Sequence, residues 1–99
     1  MLNPTAEAYR KELDLLSSRF QVVRDEARKR AVSDAHHILE RVQEERDRLA
    51  AKLSDVEHGR TNWDLIRAKF GGAWSEFVTD LELLELRMLE VESINQLNA

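Results

Sequence analysis

The fold is decided by residues 63–94, which read WDLIRAKFGGAWSEFVTDLELLELRMLEVESI. Large apolar side chains recur in this stretch in steps of three and four, the spacing that places residues on one face of a helix. A helix face with this much aromatic and aliphatic surface must be covered by other protein. The stretch therefore predicts one long, heavily apolar helix. Its apolar face consists of Trp63, Ile66, Phe70, Trp74, Phe77, Leu81, Leu84, Met88 and Val91.

The composition indicates a single all-α domain over residues 1–99. Charged residues make up 34% of the chain, and one proline and three glycines leave little material for turns. The absence of cysteine excludes disulfides and thiolate metal sites. A net charge of -4 with interspersed signs disfavours nucleic-acid binding. No apolar run is long enough for a membrane span or signal peptide, so we expect a cytoplasmic protein without a membrane partner.

A second helical pattern precedes the apolar stretch. Apolar residues keep the same spacing across residues 5–58, which neither glycine nor proline interrupts. The pattern predicts a first helix over about residues 4–58, with Pro4 in its first turn, where a missing N–H costs nothing. Residues 24–37 are mostly polar, and alanine fills most of their inward positions. An alternative is a break in this region, with a new helix beginning near Ser33.

The clearest stop signal in the chain is Gly59. Glycine readily adopts the left-handed conformation that ends many helices. Thr61 can then cap the next helix, with Asp64 at the capping-box position. The sequence therefore predicts a turn at residues 59–61 and a second helix over about residues 62–96.

Two adjacent glycines, Gly71 and Gly72, fall inside the predicted second helix. Each costs about 1 kcal/mol relative to alanine in a helix interior, so the pair could kink the helix. The apolar spacing keeps its phase from Phe70 to Trp74 and Phe77, which favours one unbroken helix.

These elements predict an antiparallel, coiled-coil-like hairpin with a long first helix and a shorter second helix. If the chain turns at Gly59, the second helix ends opposite about residue 23, and the start of the first helix stays uncovered. A two-helix hairpin is seldom stable alone, so we expect a homodimer in which two hairpins form a four-helix bundle. The residues expected to make the interactions are Tyr9, Leu13, Leu16, Phe20 and Val23 of the overhang and the off-stripe leucines Leu83, Leu86 and Leu89.

The sequence predicts a non-enzymatic, self-associating protein that acts as a structural or adaptor module through its helix surfaces. It has no glycine-rich phosphate loop, no recognisable nucleophile with a base and no cofactor requirement, and no stretch carries a motif specific to a known family. An alternative is a small regulatory inhibitor or chaperone that binds one protein partner through the N-terminal apolar stripe.

His36 and His37 form the most conspicuous polar pair. Because Glu40 lies one turn after His36, a third alternative is a metal-binding helical bundle. Adjacent histidines point about 100° apart on a helix, so both cannot join one site, and ordinary surface or seam histidines are the simpler interpretation. Protonation inside an alanine-lined seam would weaken an interface, which makes both residues candidates for pH sensitivity. Arg46 takes an inward position, and we expect its stem to lie along the seam.

Overall fold

The computed structural model describes residues 5–30 and 35–97, with side chains described as far as Glu90. Within these residues the chain forms three helices and no strand: α1 (Ala6–Arg30), α2 (His36–Glu57) and α3 (Trp63–Leu97). The predicted all-α class is confirmed. The prediction of two helices, with a single first helix over about residues 4–58, is wrong.

The first two helices lie side by side and run antiparallel. Arg10, near the start of α1, is 2.6 Å from Glu57 at the end of α2. Further along α1, the ring of Phe20 lies 5.7 Å from the guanidinium of Arg46, which is earlier in α2. As the α1 numbers rise, the α2 numbers fall, so the chain folds back between the two helices.

The third helix runs in the same direction as α1. The Tyr9 and Phe70 rings are 4.8 Å apart near the beginnings of α1 and α3. Further along both helices, Nε of Arg19 donates a hydrogen bond of 3.2 Å to Glu85. The residue numbers of α1 and α3 therefore rise together. The molecule is therefore a three-helix bundle in which the chain runs up, down and up again.

The first helix begins with a side-chain cap. The hydroxyl of Thr5 accepts a hydrogen bond of 3.1 Å from the backbone N–H of Ala8, which satisfies one of the unpaired donors of the first turn. The predicted helix start at Pro4 lies outside the described residues.

A Schellman motif ends α2. Gly59 has a φ of 71°, its N–H donates to the carbonyl of Val56 at 3.1 Å, and the N–H of Arg60 donates to the carbonyl of Asp55 at 2.8 Å. Asn62 then caps α3, because its side-chain oxygen accepts a 2.9 Å hydrogen bond from the N–H of Asp64.

The cap of α3 thus differs from the sequence prediction. The sequence predicts Thr61 as the N-cap. In the structure the side-chain oxygen that accepts the hydrogen bond from the N–H of Asp64 belongs to Asn62, so Asn62 is the N-cap. Aspartate at the second helical position also lies close to the positive end of the helix dipole, which favours its charge.

The core runs along the axis of the bundle between all three helices. In the predicted hairpin, the start of the first helix projects beyond its partner and stays uncovered. In the structure α1 packs onto α2 and α3, so the chain itself covers the apolar side chains of α1. The buried residues that form the core are Leu13, Leu16, Phe20, Val23, Ala27, Ala35, Val42, Leu49, Leu53, Phe70, Phe77, Leu81, Leu84 and Met88.

An aromatic cluster joins α1 to the first turns of α3. The Tyr9 ring contacts Trp63 at 5.5 Å and Trp74 at 5.0 Å between centroids, in tilted and edge-on arrangements. The helix continues unbroken through Gly71 and Gly72. A Cβ on Gly71 would lie 4.0 Å from the hydroxyl of Tyr9, and a Cβ on Gly72 would meet nothing within 4 Å.

Candidate interaction surface

Between Leu65 and Leu86, one face of α3 points away from the bundle and carries no charged residue. Its seven residues follow steps of three and four, so they share one side of the helix. All seven are exposed, and the three leucines among them are exposed by 80%, 51% and 56% in chain order. We call this surface the outer face of α3, and it consists of Leu65, Ala68, Gly72, Ser75, Thr79, Leu83 and Leu86.

This surface exists because α3 is apolar on two opposite sides. The inner side buries Phe70, Phe77 and Leu84 in the core. The seven residues of the outer face of α3 are leucines at both ends and small residues between them, with no lysine, arginine, aspartate or glutamate among them. Single exposed leucines are common on proteins, but a continuous uncharged strip along a helix is typical of a surface that another protein covers.

An acidic cleft flanks the outer face on the side of α2. Glu45 of α2 faces Glu76 and Asp80 of α3, and Arg41 and Arg48 also line this cleft. Both carboxylate oxygens of Glu45 are buried without a hydrogen-bond partner.

The main chemical feature of this cleft is the raised pKa of Glu45. Burial raises the pKa of the Glu45 carboxyl to about 7, and interactions with Asp80 and then Glu76 add to the increase, while Arg41 opposes it. Two ionised carboxylates can only accept hydrogen bonds, so a hydrogen bond between Glu45 and Asp80 requires a proton on one of them. The same cleft would also be stabilised by a cationic group brought in from outside.

A smaller, basic and apolar cleft lies nearer the turn on the same flank. It has a volume of about 210 Å³, and Leu49, Ile66, Phe70 and Ala73 form its apolar walls. Its charged lining residues are Arg48, Lys52 and Lys69. The flank of the outer face therefore changes from basic near the turn to acidic around Glu76 and Asp80.

The predicted interaction residues divide into two groups. Leu83, Leu86 and Leu89 are all exposed, with 51%, 56% and 58% of their surface accessible. Leu83 and Leu86 belong to the outer face of α3, whereas Leu89 lines a groove between α1 and α3 with Val22 and Met88.

The second group is covered by the chain's own helices. The predicted overhang is wrong, because α1 packs along α2 and α3 and leaves Tyr9 only partly exposed within the aromatic cluster. The other four residues are buried in the core: Leu13, Leu16, Phe20 and Val23. Any contact that they make with another chain remains a prediction that would require α1 to leave the bundle.

Sequence reasoning did not include Leu65 in the surface, although it is the most exposed of these leucines. The spacing of the leucines could have identified it. Leu65 and Leu83 are separated by 18 residues, which is five complete helical turns at 3.6 residues per turn, so they share one side of the helix.

The two histidines lie on the surface at the start of α2. His36 Nε2 is 3.0 Å from Glu40 Oε1 in an exposed i,i+4 pair, and the two imidazole rings are 6.1 Å apart. Among the described residues no group of three or more histidine, cysteine, aspartate or glutamate side chains is arranged to hold a metal. The predicted pH sensitivity assumed that an alanine-lined seam encloses these histidines. In this bundle the rings of His36 and His37 are exposed instead.

Arg46 combines a packed stem with a paired head group. Its guanidinium lies 5.7 Å from the centroid of the Phe20 ring and donates a 2.8 Å hydrogen bond to Asp47. Arg24 of α1 approaches the same ring at 5.9 Å. The guanidinium of Arg46 thus lies over the ring of Phe20, a core residue. This arrangement adds a cation–π attraction to the apolar contact of the arginine stem.

Across the described residues, none of the helices has both the length and the apolar character needed to cross a membrane. In comparisons with known proteins, no family model, no curated protein and no solved structure matches this chain.

Proposed function

We propose that this protein is a non-enzymatic interaction module that associates with itself through the outer face of α3. The observation that carries the proposal is the position of Leu65, Leu83 and Leu86, which are exposed on one side of a helix whose opposite side already fills the core. Such a helix has more apolar surface than one bundle can cover. Covering it with a second helix face removes the leucines of both chains from water.

The mechanism is display of a preformed helix surface. Full burial of a leucine side chain is worth about 1.5–3 kcal/mol, so three leucines from each of two chains provide enough apolar burial to offset a substantial part of the entropy lost on association. The expected homodimer joins two three-helix bundles along α3. A structural or adaptor role follows from this arrangement, since it leaves α1 and α2 of both copies accessible.

The alternative function, a regulatory inhibitor or chaperone, requires that a partner reach the N-terminal apolar stripe. Its proposed contact was the N-terminal apolar stripe, and Leu13 and Phe20 of that stripe are 2% and 0% exposed. A partner could reach them only after α1 separated from the rest of the core, which would expose the large side chains that α1 covers. We therefore favour self-association through α3, which requires no rearrangement of the bundle.

Solution mass tests this proposal. Light scattering on a sizing column, at several protein concentrations, should give the mass of two chains for the wild-type protein. The double variant Leu83→Glu, Leu86→Glu should give the mass of one chain with unchanged helical circular dichroism, because both side chains are exposed in the single bundle.

The matched control is Leu15→Glu, which places the same charge on an exposed leucine of α1. This variant should remain a dimer. A wild-type protein that is one chain at every concentration would disprove self-association, and equal loss of the dimer in the control would place the interface elsewhere.

A further inference from the structure

The charges beside the outer face restrict how a second copy can bind. Lys69, Glu76 and Asp80 are seven and four residues apart, so they lie along the same flank of α3, the one next to α2. Lys69 belongs to the basic cleft with Arg48 and Lys52. The two acidic residues belong to the cleft that also contains Glu45. Each copy therefore presents a basic and an acidic section on one side of the same apolar strip.

Two-fold symmetry determines which flanks meet. When two helices pack antiparallel about a two-fold axis, the flank of one helix lies beside the same flank of the other, with the residue order reversed. The basic section of one copy can then lie opposite the acidic section of its partner. A parallel two-fold pairing would instead place this flank beside the opposite flank of the partner helix, so the basic and acidic sections of the two copies would not meet.

The leucines and the charges select the same antiparallel register. If Leu65 of one helix lies opposite Leu83 of the other, the helices cross at residue 74. In that register residue 69 lies opposite residue 79, which is between Glu76 and Asp80. The residues near the crossing point on the outer face are small, namely Ala68, Gly72, Ser75 and Thr79. Small side chains at this position allow two helix backbones to approach closely.

We propose that the occupant of the outer face of α3 is a second copy of this chain in antiparallel orientation, with Lys69 of each copy at Glu76 and Asp80 of the other. This inference rests on the proposed self-association and specifies its geometry. The leucines provide most of the affinity. The ion pairs at the edge of the interface fix the orientation and register, since rim charges contribute more to specificity than to binding strength.

Disulfide trapping tests the register directly, because the chain contains no cysteine. An equimolar mixture of Leu65→Cys and Leu83→Cys should form a cross-linked heterodimer under mild oxidation. Each variant alone should cross-link poorly, because its two cysteines would lie about 27 Å apart, the length of 18 helical residues. Cross-linking of either variant alone in preference to the mixture would overturn the antiparallel register.

Charge reversal provides an independent test in solution. Lys69→Glu and Glu76→Lys should each weaken the homodimer about tenfold, because each brings like charges together at both ends of the interface. An equimolar mixture of the two variants should restore dimer formation, since opposite charges then face each other at both contacts. The matched control is Arg67→Glu, which reverses an exposed charge on another side of α3 and should leave the affinity unchanged.

The results separate this inference from the proposed function. If the wild-type protein is a dimer that Leu83→Glu, Leu86→Glu dissociates, but the cysteine pair fails to cross-link and the charge mixture does not restore binding, the proposed register is wrong and self-association through α3 stands. If the wild-type protein is one chain at every concentration, both proposals fail.

Discussion

Among the residues that the structure describes, Glu45 has the surroundings that oppose its charge most strongly. Its carboxylate oxygens are buried without a hydrogen-bond donor, and it faces the carboxylates of Asp80 and Glu76. The unfolded chain holds the Glu45 proton with an ordinary pKa near 4.5, and in the folded protein burial raises this pKa to about 7. The folded state therefore binds the proton more tightly than the unfolded state does.

The direction of the pH effect follows from this difference. Between pH 4.5 and pH 7 the folded protein holds more protons at Glu45, so the contribution of this group to stability falls as the pH rises. Above pH 7 the carboxyl is ionised in both states, and the full cost of burying its charge remains. Since Glu45 as a whole is only partly buried, we expect this cost to be about 1 kcal/mol.

Glu45→Gln should remove this cost. At pH 8 the variant should have a free energy of unfolding about 1 kcal/mol higher than its parent, because the amide carries no charge and can donate to Asp80. At pH 4.5 the two proteins should be nearly equal. Urea unfolding of the Leu83→Glu, Leu86→Glu background at both pH values measures the effect without a contribution from self-association.

Glu44→Gln is the control for this comparison, because Glu44 is an exposed neighbour on the same helix. It should change the stability little at either pH. A Glu45→Gln variant that is no more stable than its parent at pH 8 would show that solvent or Arg41 already compensates the buried carboxylate.

At the scale of the elements, two glycines have opposite roles. Gly59 has a positive φ of 71° in the turn between α2 and α3, a conformation that disfavours any residue with a Cβ. Gly72 lies inside α3, and a Cβ there would meet nothing within 4 Å. The same substitution should therefore destabilise one site and stabilise the other.

Gly59→Ala should lower the free energy of unfolding by about 1 kcal/mol, because alanine must adopt the left-handed conformation. Gly72→Ala should raise it by about 0.5–1 kcal/mol, because alanine restricts the unfolded chain and favours the helix. Urea unfolding of both variants in the Leu83→Glu, Leu86→Glu background provides the comparison. A stabilising Gly59→Ala or a destabilising Gly72→Ala would contradict this account.

Much of α3 could be predicted from the sequence, whereas the break between α1 and α2 was only the alternative to one long helix. The spacing of Phe70, Phe77 and Leu84 indicates the inner side of a long helix, and a glycine at position 59 indicates the end of the preceding helix. The helical pattern continues through residues 24–37 with no glycine or proline. Local signals therefore favoured one long helix there, although tertiary burial favours two.

The surface was predictable only in part, for a related reason. Leu83 and Leu86 could be recognised because they fall off the inner stripe of α3. The N-terminal residues Leu13 and Phe20 follow an equally regular pattern, and a pattern does not reveal whether the same chain or another one covers a helix face. The position of α1 decides that question, because α1 packs antiparallel to α2 of the same chain.

At the scale of the whole molecule, burial explains why the chain folds back. A continuous first helix would leave Leu13, Leu16 and Phe20 in water until a second chain arrived. Folding α1 onto α2 and α3 buries all three within one chain, at 2%, 6% and 0% exposure. Burial within the chain does not pay the translational and rotational entropy of association. The core is thus complete in a single chain, and self-association uses only the surface that remains.

A core completed by one chain predicts that Phe20 stabilises the monomer. Phe20→Ala should lower the free energy of unfolding by about 3–5 kcal/mol, because it removes a fully buried ring and leaves a cavity between the helices. Leu15→Ala, on an exposed position of α1, should change it by no more than about 0.5 kcal/mol. Urea unfolding in the Leu83→Glu, Leu86→Glu background should show the full loss at every protein concentration. If Phe20 instead belonged to an interface between extended hairpins, this monomeric background would already lack its contacts, and Phe20→Ala would then have little further effect.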